Sequence, residues 1–93
     1  MQTDNGHQPH KREELVELAG DEDLLFLDGF DDCILGICNA ASGNPLVVYD
    51  EELILRALQK RNEMEEEEAV EYYHFNVEGA FLGPRTPVIV TRP

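Results

Sequence analysis

Few side chains of this 93-residue chain stand at spacings that chemistry uses. Glu71 and His74 form a Glu-x-x-His unit. Di-iron carboxylate bundles use such units in pairs, with further glutamates on partner helices. Only one is present here, so an ordinary solvated pair is expected. Cys33 and Cys38 are the only cysteines, and their spacing does not match the C-x2-C patterns of zinc and redox sites. On a continuous strand, an odd separation puts the two thiols on opposite faces. Both read as small core hydrophobes. His7 and His10 lie in a polar, unpatterned opening and read as part of a tail. Ser42, in "SGN", has no histidine near it in sequence and no nucleophile-elbow context. The sequence holds no P-loop, Rossmann glycine pattern or H-E-x-x-H. No catalytic residue, cofactor or metal is therefore expected, and the chain reads as non-enzymatic.

What remains is charge and a few polar residues in unusual places. Glu65, Glu66, Glu67, Glu68 and Glu71 form a dense acidic run. They are the candidate partner-binding residues. A plainer reading also covers them. Met64 stands as the hydrophobic residue before a cap, Glu65 as a poor cap, and Glu68 as the N3 member of a capping box. Acids in a first turn are stabilising by about 0.3–1 kcal/mol each, less their mutual repulsion. Asn76 and Asp50 are candidate structural polar residues. At 100° per residue, Ala69, Tyr72, Tyr73 and Val77 share one arc, and Asn76 falls inside it. Asn76 is thus expected to be partly buried and to bond the backbone of the following "GAFLGPRTP" turn.

The chain carries 20 acidic and 7 basic residues, a net charge of −13. Such a field repels phosphates and anionic lipid, so direct nucleic-acid binding is disfavoured. A protein with a basic surface is the favoured partner. Hydrophobic residues make up 42% and tryptophan is absent, so the core must be mostly Leu, Ile and Val. The opening "MQTDNGHQPHKREE" has no apolar segment of the kind a signal peptide needs. With no long apolar run, no membrane association is expected. A reducing, cytoplasmic setting is the expectation.

The elements that must position these groups follow from pattern. Residues 1–12 read as a disordered tail and 13–93 as a single small domain. A short helix spans 11–18, with Leu15 and Leu18 as its apolar pair and Gly20 as its stop. The knot 24–27 is expected to turn Phe26 and Phe30 inward. "CILGIC" and "LVVY" read as buried strands joined by a loop over 39–45. Asp50 is a good N-cap for a helix over 51–61, with Asn62 as its left-handed end. A second main helix covers 66–77, and "VIV" is a last strand. The fold class is therefore α+β, in the order (α)-β-β-α-α-β. Its core element is a small three-stranded, mainly antiparallel sheet with both main helices on one face.

Three stretches together, "GFDDCILGIC", "PLVVYDEELILRAL" and "EEAVEYYHFNVEGAFLGPRTPVIV", resemble a group of short, uncharacterised acidic proteins of tailed phages and prophages. The likeness covers about residues 29–90. It implies a phage-encoded protein acting in a host cytoplasm, and it brings no activity with it. Members of the group often have Thr or a similar residue before the glutamates, where this chain has Glu65. The leading functional expectation is a small interaction protein that binds or modulates a host protein. A first alternative is an acidic nucleic-acid mimic. It would need Glu63, Glu65, Glu66, Glu67, Glu68 and Glu71, with Asp21, Glu22, Asp23, Asp28, Asp31 and Asp32, laid out in rows. A second is a ligand site or active site built from Asn76, Tyr49, Asp50 and the 39–45 loop. A third is self-association through an apolar patch at 24–30.

Overall fold

Asp50 separates the most β-prone run of the chain from its most regular helical pattern, and the backbone changes from strand to helix there. The computed structural model describes residues 9–39, 43–79 and 82–93. Its elements are helix α1 (Pro9–Ala19), a 3-10 turn (Asp31–Cys33), strands β1 (Ile34–Asn39) and β2 (Pro45–Asp50), and helices α2 (Glu51–Asn62) and α3 (Glu66–Tyr73). A π-helical turn (His74–Glu78) follows α3, and strand β3 (Val88–Val90) closes the chain. The α+β class and the order of elements are those expected from the pattern.

The sheet order is β1-β2-β3. β1 and β2 are antiparallel, and β2 and β3 are parallel, so the sheet is mixed. The short connection between β1 and β2 permits only an antiparallel pair, whereas the route through two helices returns the chain for a parallel one. Residues 40–42 of the loop, including Ser42, lie outside the described residues.

Register explains which side of the sheet is dry. Ile34 pairs with Tyr49 and Ile37 with Val47, with an irregularity between Ile34 and Gly36. Ile34 and Ile37 are three apart and would face opposite ways on a regular strand. The extra residue, Leu35, is a bulge that brings both onto the face of Val47 and Tyr49. Val47 and Tyr49 are wholly buried, while Leu35 is exposed. Cys33 is buried just before β1, and Cys38 is half-buried on it. The burial of Cys33, and the charge of Asp32 beside it, push its thiol up to about 12, which favours the protonated thiol at neutral pH. Cys38 pairs with Leu46, off the dry face.

All three helices feed one core: Leu15 from α1, Ile54 and Leu58 from α2, and Ala69 and Tyr73 from α3, with Val77 from the π turn. α1 begins at Pro9, a residue suited to a first helical turn, so residues 9–12 of the expected tail are helical. Residues 1–8, with His7, lie outside the described residues, as does the side chain of His10. Leu18 is exposed, and Leu15, Val16 and Ala19 face the core instead of the Leu15–Leu18 pair. Gly20 stops the helix as expected, at φ +68°, with its N–H donating to the Val16 carbonyl at 2.9 Å.

The segment from Asp21 to the 3-10 turn has no regular structure and is held by side chains. Leu24 is buried, and Phe26, Leu27 and Phe30 pack against the core. The Tyr49 hydroxyl accepts the Leu27 N–H at 2.7 Å. Arg12 grips Asp31 with two hydrogen bonds of 2.7 and 2.8 Å and lies over the Phe26 ring. Arg61 grips Asp32 at 2.9 and 3.0 Å, donates to the Gly29 carbonyl and lies over the Phe30 ring.

α2 ends one residue later than expected. The left-handed residue is Glu63, at φ 54°, and not Asn62. A side chain with a Cβ is strained there, and glycine is not. Glu63→Gly is expected to raise stability by about 0.5–1 kcal/mol, measured as a higher urea midpoint at unchanged slope.

Candidate functional site

The acidic run becomes the exposed start of α3. Glu65 is the N-cap residue, and Glu66, Glu67 and Glu68 fill the first turn. The Glu65 N–H donates to Glu68 Oε1 at 3.1 Å, the reach-back arm of a capping box. Met64, just before the cap, packs against the core. This accounts for the position of the run and leaves its charges outward: Glu65, Glu66, Glu67, Glu68 and Glu71 are all exposed.

The far end of α3 departs from the expected wheel. Ala69, Tyr73 and Val77 are buried as expected. The π turn over His74–Glu78 advances each residue by less than the 100° of an α-helix. It keeps Val77 in line under Tyr73 and swings Asn76 further from the core. Asn76 is exposed, and its amide donates to the Tyr72 carbonyl at 3.2 Å, one turn back in its own helix. It does not tie down the following turn. Leu82, Gly83 and Thr86 do this work instead: the Leu82 N–H donates to Thr86 Oγ1, and that hydroxyl donates to the Gly83 carbonyl, both at 2.7 Å. Phe81 and Ala80 lie outside the described residues.

Tyr72 and Phe75 are also outward, 41% and 83% exposed. With Met64, Glu68 and Glu71 they line a shallow cleft of about 310 Å³. The positions 68, 71, 72 and 75 are one helix stripe by spacing. The helical wheel puts Tyr72 on the core arc and gives Phe75 no role. The signal that would have found this stripe is the i, i+4 pairing of Glu68 with Tyr72 and of Glu71 with Phe75. His74 pairs with Glu78 rather than with Glu71. Among the described residues no group of three His, Cys, Asp or Glu is placed to hold a metal ion.

Asp50 stands at the N-cap of α2 as expected, yet its side chain does not cap the helix. It is wholly buried, and Oδ2 accepts a hydrogen bond from Arg92 at 2.8 Å. Oδ1 has no partner. Thr91 Oγ1 donates to Glu51 at 2.9 Å beside it. Asp50 thus anchors the end of β3. Of the alternative site of Asn76, Tyr49, Asp50 and the 39–45 loop, Asn76 is exposed, Tyr49 and Asp50 are buried, and residues 40–42 lie outside the described residues. Burial pushes the Tyr49 phenol up to about 12 and raises Tyr73 as well, with the charges of Glu51 and Glu78 adding to the latter. Neither tyrosine is a base at neutral pH. No helix among the described residues is long and apolar enough to cross a membrane.

Two substitutions separate these polar roles. Arg92→Ala leaves a buried carboxylate without its cation and is expected to cost about 2–3 kcal/mol, read from urea denaturation. Asn76→Ala removes one exposed bond and is expected to change stability by less than about 0.5 kcal/mol.

Comparison of the chain with protein-family models, with curated proteins and with solved structures finds no match.

Proposed function

We propose that this is a small acidic interaction protein, phage-encoded and without catalytic activity, that binds a basic surface of a host protein through the outward face of α3. The distribution of its arginines carries this reading. All five pair with the chain's own acids: Arg12 with Asp28 and Asp31, Arg56 with Glu52, Arg61 with Asp32, Arg85 with Asp21, and Arg92 with Asp50. None serves α3. The start of α3 therefore presents Glu65, Glu66, Glu67, Glu68 and Glu71 with no basic side chain of the described residues against them. The phage origin and the host cytoplasm rest on the resemblance noted above.

The nucleic-acid mimic has less support. Asp21, Asp31 and Asp32 are held in internal ion pairs, and Asp31 is wholly buried. With Asp28, also paired with Arg12, that engages four of the acids such a surface would need.

Affinity capture from host lysate tests the reading. A variant with Glu65, Glu66, Glu67 and Glu68 all changed to Gln is expected to lose the captured partner. Its stability should fall by no more than about 1 kcal/mol, since Gln at position 68 still serves the capping box. An unchanged catch would assign the run to helix initiation alone.

A further inference from the structure

The fold uses one device twice to hold an arginine. Arg12 lies 4.8 Å from the centre of the Phe26 ring while Asp31 accepts its hydrogen bonds. Arg61 lies 5.6 Å from the centre of the Phe30 ring while Asp32 accepts its own. In both, a carboxylate fixes the planar guanidinium and an aromatic face covers it. Each contact favours a cation, and the flat fork of arginine suits both at once.

The outward stripe of α3 repeats these ingredients. Glu68 and Tyr72 stand one turn apart, as do Glu71 and Phe75, and all four line the cleft together with Met64. No arginine of the chain reaches it, because all five are engaged elsewhere. Phe75 is 83% exposed and, among the described residues, is not one of those packed against the core. A polar residue would serve the helix better, so an apolar ring held in water beside carboxylates points to a ligand that is cationic and flat.

We propose that this stripe is an arginine seat: it binds a segment of a partner protein whose arginine side chains stack on Tyr72 and Phe75 and bond to Glu68 and Glu71. The proposal rests on the acidic-surface reading above and makes it specific. The charge of the stripe argues against other occupants. Nucleic acid and anionic lipid are repelled by the same glutamates. A second copy docked symmetrically through this face would set Glu68 and Glu71 against their own equivalents.

The test uses the full chain and three 12-residue peptides, measured by isothermal titration calorimetry at low and physiological salt. One carries two arginines beside a leucine, one has lysine at both places, and one has the neutral isostere citrulline. The arginine peptide is expected to bind about fivefold tighter than the lysine peptide, and the citrulline peptide not to bind. Phe75→Ser, at a position outside the core, is expected to fold normally by circular dichroism and to abolish the preference for arginine. Glu71→Gln is expected to weaken the arginine peptide. Equal binding of the arginine and lysine peptides, or a preference unchanged in Phe75→Ser, overturns the arginine seat and leaves a general acidic surface standing. No binding of either cationic peptide overturns both readings.

Discussion

The structure depends on neutralising the carboxylates that folding takes out of water. Asp31 and Asp50 are wholly buried. A buried carboxylate without a cation costs several kcal/mol, a large fraction of what a domain of this size has available. Arg12 meets Asp31 from α1, and Arg92 meets Asp50 from the residues after β3. Each pair joins distant parts of the chain. The first fastens α1 to the irregular segment before β1, and the second fastens the C-terminal end to the junction of β2 and α2. The pairs therefore act as ties whose loss would expose their cost, rather than as a surplus of stabilising contacts.

The same requirement governs the surface. With a net charge of −13 the chain has few cations, and its arginines are directed to the acids of α2, the 20–32 segment and β2. The start of α3 carries Glu65, Glu66, Glu67 and Glu68 with no arginine paired to them. There the helix dipole welcomes acids, and the capping box uses Glu68. Local helix physics tolerates the cluster, and the absence of internal cations leaves it open to a partner. Fold stability and the proposed binding face thus follow from one allocation of charge.

Much of the fold was legible along the chain. Turn formers and apolar runs marked each strand, and the change of period at Asp50 marked α2. The capping-box role of Glu68 was readable from its spacing to Glu65. Asn76 departs from the wheel because α-helical steps do not hold to residue 77: the π turn begins at His74. Leu18 departs from its i, i+3 pairing because that spacing finds a stripe but not which stripe the neighbours can cover. The same reason applies to Tyr72 and to the exposed stripe it shares with Phe75.

By itself, the sequence determined the α+β class, the order of elements, the excess negative charge and the helical start at residues 65–68. These rest on local terms: periodicity, capping chemistry and turn residues act within a few positions of one another. Tertiary structure alone decided the bulge at Leu35 that turns Ile34 and Ile37 to one side, the pairing of Arg92 with Asp50, and the outward turn of Asn76 and Phe75. Each depends on which elements come to lie against each other. Side chains such as Arg12 and Asp31 are 19 residues apart, and no local rule links them. The nature of the α3 face belongs to both levels. Local rules put the glutamates there, and only the folded chain shows that every arginine is engaged elsewhere.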